Sequence, residues 1–234
     1  MISVIASLFD GTKFGIPHST GIYDESWADK LYRGLKRNTK VPFELVVLVD
    51  REYNFTEPIR QVPFALNYTQ NSGWALQTEK YRPDLTKDWR VCMGLDTIIT
   101  GNIDNYLEPD KDFAMVTDPF FPNEVCNAIT WCSPATAQII WNVWMTKQDW
   151  IKENCKLPPW NTVSEMVLLR KLFNKHGHLP CIDKLFPGVY SYKCHIIDKP
   201  ELMDHTKILY FHGDPKPNDL GAYPVDEKII PHWK

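Results

Sequence analysis

An acid that ends an apolar strand is well placed for chemistry, and Asp96 is such an acid. It closes the run Arg90-Val91-Cys92-Met93-Gly94-Leu95-Asp96, after which Ile98 and Ile99 resume the apolar pattern. Short apolar runs suit the central strands of a mostly parallel sheet. In open α/β sheets, ligands gather beyond the carboxyl ends of the strands. The same residues also fit a plain turn in which Asp96 and Thr97 satisfy the local backbone. Further on, Thr162-Val163-Ser164-Glu165 has capping-box spacing, which gives Glu165 a capping role ahead of a catalytic one. His176-Gly177-His178 straddles an expected helix end, where a His favours the carbonyl end of the dipole. Its spacing is not that of a helical metal pair.

Composition excludes several classes. The chain has 234 residues, 24% of them charged, with a net charge of −3 and no long basic run, so nothing advertises a nucleic-acid surface. No apolar stretch approaches the ~20 residues needed to span a bilayer, and the first residues are too short and wrongly flanked for a signal peptide. Cys92, Cys126, Cys132, Cys155, Cys181 and Cys194 include no CxxC pair, and reduced structural thiols fit a cytoplasmic protein. The acceptor patterns Asn54-Phe55-Thr56 and Asn67-Tyr68-Thr69 have no meaning without secretion. Phe9-Asp10-Gly11-Thr12 is similar to a haloacid-dehalogenase phosphatase signature, but Leu8 stands where the nucleophilic acid would be. There is no GxGxxG, P-loop or HExxH.

The elements that must position these residues read as one α/β domain over 1–234 with a mostly parallel central sheet flanked by helices. Ile2–Phe9 and Glu44–Asp50 read as buried strands. Between them Asp24 or Ser26 caps a helix with Trp27, Leu31 and Leu35 on one face, completing a βαβ unit. Gly73–Tyr81 reads as a short helix that Pro83 stops. Phe113–Thr117 and Ala128–Cys132 are further strands, and Ser133-Pro134 opens a helix bearing Ala137, Ile140, Trp141 and Trp144. A later helix runs from the capping box towards His176-Gly177. Two last strands are expected around Tyr190–Ile197 and Lys207–Phe211.

Four segments in order carry a resemblance: Trp74…Lys80-Tyr81-Arg82-Pro83-Asp84, Gly94-Leu95-Asp96-Thr97-Ile98-Ile99, Asn127-Ala128-Ile129-Thr130, and Phe211-His212-Gly213-Asp214-Pro215-Lys216-Pro217. Together they resemble the nucleotide-sugar glycosyltransferases of GT-A fold, in particular the glycogenin and galactosyltransferase-like family eight with its bacterial and phage relatives. The likeness implies a donor of the nucleoside diphosphate sugar type, with UDP favoured, and a saccharide, protein or small-molecule acceptor. It implies that Asp96 and His212 hold Mn²⁺ or Mg²⁺. Lys80, Gly213 and Lys216 would bind the donor's phosphates or sugar, and Ala6 and Ser7 would line the base pocket. Asn127 would face the transferring sugar or the acceptor, and Glu165 falls where an acceptor-side motif of the relatives stands.

The physical logic holds without the name. A pyrophosphate must be neutralised to bind and to depart, which a divalent cation on carboxylate oxygens or a Lys point charge can do. Mn²⁺ also accepts imidazole. The chain departs from the family at Gly94, where the first acid of the Asp-x-Asp pair is missing, and in a shortened distal loop with Asn218 in place of Trp. Three readings follow: a metal held by Asp96, His212 and water, a metal-independent transferase, or a non-catalytic binding or scaffolding module. A nucleotidyltransferase fits less well, because no second acid has a claim on the metal.

Overall fold

A computed structural model describes residues 1–16, 23–68, 72–174 and 179–234. Pro17, Thr69 and the His176-Gly177-His178 trio lie outside the described residues. The central sheet is built from β1 (Ile2–Leu8), β2 (Phe43–Val49), β3 (Arg60–Pro63) and β4 (Arg90–Met93). A second sheet takes β5 (Thr97–Ile99), and the central one is completed by β6 (Phe113–Thr117) and β7 (Val125–Cys132). Strand order in the central sheet is β3-β2-β1-β4-β7-β6. The first four strands are parallel and β7 alone runs against its neighbours.

Alternation along the strands assigns the two faces, because successive side chains point to opposite sides. Val4, Ala6 and Leu8 of β1 join Leu45, Val47 and Val49 of β2 on the face covered by α1 (Glu25–Asn38). Trp27, Leu31 and Leu35 of α1 are essentially without exposure, and each such buried side chain contributes roughly 1.5–3 kcal/mol. Asp24 caps α1 by accepting from Ser26 N at 3.0 Å. On the other face Ile5, Val46, Leu48 and Cys92 pack with α2 (Pro134–Thr146), whose Ser133 cap and leading proline are those read from the sequence. A short α3 (Gln148–Asn154) follows, then a two-strand ribbon of β8 (Lys156–Leu157) and β9 (Thr162–Val163), and α4 (Glu165–Phe173).

Three expectations need correction. The strand expected to run to Asp96 stops at Met93 and the chain turns over Gly94–Asp96; β5, where the apolar pattern resumes, leaves the central sheet to join β10 (Val189–Ser191) and β11 (Ile208–Tyr210) in a three-stranded sheet. The strand expected over Tyr190–Ile197 stops at Ser191. Tyr192–Ile196 winds into a π-helical turn, with Ser191 Oγ accepting from Cys194 N at 3.1 Å. Finally, Thr162–Val163 is strand, Ser164 precedes α4 without a side-chain cap, and no capping box forms there. The ribbon consumes the residues that the box would need, which frees the Glu165 carboxylate to point elsewhere.

Candidate active site

Gly94–Asp96 turns the chain at the carboxyl end of β4. The Asp96 carbonyl accepts from Phe211 N at 3.2 Å, so the turn is tethered to the end of β11. β11 runs antiparallel to β5, with Tyr210 opposite Thr97. This pairing brings the His212–Pro217 loop over Asp96 although more than a hundred residues separate them in sequence. Asp96 Oδ2 accepts from the Tyr23 hydroxyl at 2.9 Å and from the Lys216 ammonium. Both members of the Lys216–Asp96 pair are largely buried, at 14% and 15% side-chain exposure. Burial first, then the Asp96 charge, raises the Tyr23 phenol well above its usual range, so it stays a neutral donor. The Lys216 ammonium stands 5.5 Å from the centre of the Tyr23 ring, a favourable cation–π distance. Its own backbone N–H is held by Asp219 Oδ2 at 2.8 Å.

The neighbour two residues back explains how that carboxylate fits. A Cβ on Gly94 would lie 2.5 Å from Asp96 Oδ1. The side chain absent at 94 is therefore replaced in space by the carboxylate of Asp96 itself.

His212 sits on the other side of the loop. Its Nε2 is 2.7 Å from Ser191 Oγ and 3.7 Å from Cys194 Sγ. The edge of Phe120 packs on its ring at 5.0 Å. Burial, helped by the Lys193 and Lys216 charges, lowers its pKa to about 4, against the smaller upward pull of Asp96 and Asp118. The imidazole is thus neutral at physiological pH. Gly213 follows with φ +60°, and a Cβ there would come 3.1 Å from Lys193 Nζ, which places a further cation beside the loop.

A second cluster forms where β7 meets β4. Asn127 lies two residues beyond Ile129, which is paired with Met93, and so stands at the carboxyl end of β4 beside the Asp96 turn. Its Nδ2 donates to Glu165 Oε2 at 2.5 Å, and the Tyr81 hydroxyl donates to Oε1 at 2.9 Å. Lys80, on the 3₁₀ helix Ala75–Tyr81, is 6% exposed, and no described acid pairs with its ammonium at salt-bridge distance. Glu165 is fully enclosed. Burial raises its pKa, while Lys80, Tyr81 and Asn127 pull the other way. Asn127, Glu165 and Lys80 thus converge on one spot, while Asp96, Lys216, Gly213 and His212 converge on the adjoining one.

At the end of β1 the placement differs from what the resemblance implies. Ala6 has no exposure and its side chain lies in the core under α1, so only its backbone can serve a ligand. Ser7 points to the opposite face and its Oγ is buried without a hydrogen-bond partner among the described residues. Beyond the strand ends stand Asp10 and Asp50, with Asp50 Oδ1 taking the Tyr53 hydroxyl at 2.8 Å.

The donor set does not fit a divalent cation as the side chains stand. Among the described residues no group of three or more His, Cys, Asp or Glu side chains converges. Asp96 Oδ2 is taken by an ammonium and a phenol, Oδ1 is folded back against Gly94, and His212 Nε2 is taken by Ser191. A hard cation that keeps several waters would still ask for one or two free carboxylate oxygens.

Tyr23, Tyr81, Ser191 and Lys193 complete the two spots, and sequence reasoning assigned none of them a role. Tyr81 adjoins Lys80 and could have been found from it. Tyr23 and Ser191 carry no local signal, because their partners Asp96 and His212 are brought to them only by the tertiary fold.

No family model matches the chain, and no curated protein sequence matches it. Solved structures do. The galactosyltransferase LgtC, in complex with donor and acceptor sugar analogues, superposes with a TM-score of 0.61 over 97% of this chain and 93% of its own, at 10% identity. The fold is that of the GT-A glycosyltransferases. The glycosyltransferase GlyE of Streptococcus pneumoniae TIGR4 matches with a TM-score of 0.59 at 12% identity, over 99% of this chain and 60% of that one. The bifunctional glycosyltransferase WbbM, in its apo form, gives a TM-score of 0.61 at 10% identity over 99% and 49%. No helix among the described residues is long and apolar enough to cross a membrane.

Proposed function

We propose that the protein is a glycosyltransferase that moves a sugar from a nucleoside diphosphate donor, UDP-linked by the resemblance, to a hydroxyl acceptor. The observation that supports this reading best is the convergence of Lys216, Asp96, Tyr23 and neutral His212 at the carboxyl end of β4, beside Lys80 and Asn127. That is where an open α/β sheet binds ligands. The GT-A fold and the four ordered segments point the same way.

In this reading the nucleoside lies over the ends of β1 and β2, near the backbone of Ala6 and Ser7. The diphosphate meets Lys216 and the Gly213 turn. Its positive φ leaves that turn's backbone unshielded by a side chain, as close approach to phosphate requires. Lys80, buried with no acid at pairing distance among the described residues, is poised for an anion. Asn127 faces the transferring sugar. Both Glu165 oxygens are engaged and enclosed, so Glu165 acts as a positioning residue that fixes the Asn127 amide and the Tyr81 ring, not as a group that touches the acceptor. In the transfer the anomeric carbon–oxygen bond to the phosphate breaks with its electron pair on the phosphate oxygen. The acceptor oxygen bonds to that carbon, and its proton ends on the released diphosphate.

The test is donor hydrolysis across common sugar nucleotides, in wild type and in Asp96→Ala. One donor is expected to turn over, and the variant to fall by about 100-fold or more, because Lys216 loses the carboxylate that preorganises its charge at the leaving group. Equal rates in both proteins remove Asp96 from the mechanism. The other reading that the missing acid at 94 raised, a binding module without turnover, is separated from this one by the same protein and ligands. In that case a nucleotide sugar at ~100 times its dissociation constant still stabilises the fold by about 2.7 kcal/mol, with no hydrolysis.

A further inference from the structure

We propose that this donor site works without a divalent metal ion, and that the Lys216 ammonium, held on Asp96, is the resident counter-ion for the pyrophosphate. The inference rests on the donor reading above and goes beyond it. Three features of the site carry it.

The first is that Asp96 already holds a cation. The Lys216 ammonium lies on Oδ2, where a metal bound by this carboxylate would lie, and Tyr23 donates to the same oxygen. An ammonium has three protons to give. With one on Asp96, the others remain for phosphate oxygens arriving over the loop.

The second is that Gly94 makes this arrangement sterically possible. Oδ1 of Asp96 occupies the space that a Cβ at 94 would need, at 2.5 Å. Any side chain at 94, an acid included, would push the carboxylate off its seat against the turn. The glycine therefore leaves the Asp96 carboxylate room for the orientation that holds Lys216, as well as being a missing ligand.

The third is that the other implied ligand is engaged. His212 Nε2 is taken up with the Ser191 hydroxyl, and the ring is wedged against Phe120. It is a polar wall for the diphosphate, beside the Lys193 ammonium, which lies 3.1 Å from where a Gly213 Cβ would stand. On departure of the diphosphate, Lys216 donates a hydrogen bond to the oxygen that receives the electron pair of the broken bond. No proton leaves Lys216, and no co-reactant is needed.

The experiment is calorimetric binding of UDP, GDP, ADP, CDP and dTDP to the whole protein, once with EDTA and once with Mn²⁺. It is paired with electron paramagnetic resonance of Mn²⁺ in the presence of the nucleotide that binds. One nucleotide is expected to bind with the same affinity, within about threefold, in both buffers. Free Mn²⁺ should not be immobilised by the protein beyond what the nucleotide alone takes up. Lys216→Met should weaken binding in EDTA by about 10- to 100-fold, as loss of a charged hydrogen bond does, while Lys216→Arg restores most of it. Melting curves of both variants confirm that they are folded. The double variant Gly94→Asp/Lys216→Met should regain binding only with Mn²⁺. Binding by wild type only with Mn²⁺ overturns the inference and leaves the donor reading intact. Binding of no nucleotide in either buffer overturns both. Full affinity in Lys216→Met with EDTA overturns the role of Lys216.

Discussion

Two carboxylates in this molecule are held in opposite ways, and the difference sets what each can do. Asp96 is paired with the Lys216 ammonium and partly accessible, so it can hold that cation beside a ligand. Glu165 is enclosed, and burial outweighs the help of Lys80, Tyr81 and Asn127, so its folded pKa is raised above the unfolded value. For an acid shifted upward, the folded state binds more protons than the unfolded one between the two pKa values. Stability from this group is then fully present below the unfolded pKa of about 4.3 and is lost as pH rises through the folded value. Urea unfolding of wild type and Glu165→Gln, followed from pH 4 to pH 8, isolates this slope as the difference between the two proteins. Wild type is expected to lose stability relative to the variant as pH rises. A difference that is flat, or of opposite sign, would mean that the hydrogen bonds dominate burial. Glu165→Ala is expected to cost about 1–3 kcal/mol by leaving the Tyr81 hydroxyl and Asn127 amide unpaired.

At the scale of elements, legibility followed sequence distance. The Asp24 and Ser133 caps and the apolar face of α1 are local patterns, and they stand where the sequence put them. The turn at Asp96 was legible, but the transfer of Ile98 and Ile99 to another sheet was not, because they are as apolar as a strand of the central sheet would be. Only their partners Leu209 and Ile208, far along the chain, draw them into another sheet. Thr162 to Glu165 has box spacing, yet pairing of β9 with β8 outcompetes a cap worth about 1 kcal/mol. Ser191, the strand end that holds His212, depends on another signal that spacing did not reveal. Gly188, just before β10, has φ +119°, and its carbonyl accepts from both Lys207 N at 2.8 Å and Ile208 N at 3.0 Å. A Cβ there would meet the His205 carbonyl at 3.0 Å and Lys207 Cγ at 2.8 Å. Gly188→Ala is therefore expected to cost on the order of 1–3 kcal/mol from backbone strain alone. Thermal or urea melts would show it, and an unchanged midpoint would mean that the turn can relax.

For the whole molecule, the candidate site depends on two sheets meeting. The central sheet supplies β4, β7 and the α1 face, while the small sheet supplies β11 and the loop that carries His212, Gly213 and Lys216. The chain crosses from one to the other through Gly94–Asp96, so the turn that bears the acid is also the join. Antiparallel pairing of β5 with β11 sets the register, with Leu209 opposite Ile98, and the Phe211 N–H locks it to the Asp96 carbonyl. Leu209 is fully buried in a cluster with Tyr192, Ile196 and Phe211 on the outer side of the small sheet. Leu35 of α1 is equally buried, but it lies on a helix and not on the strand that carries the loop. Leu209→Ala and Leu35→Ala should each cost about 2–5 kcal/mol, the usual range for emptying such a position. Only Leu209→Ala should also weaken nucleotide binding, because only there does collapse of the cavity shift β11 and carry Lys216 away from Asp96. Parallel urea melts and calorimetric titrations of the two variants make the comparison at matched loss of stability. Equal effects on affinity would mean that the site tolerates movement of the small sheet, and that the loop is held by its own contacts through Asp219 and Tyr23.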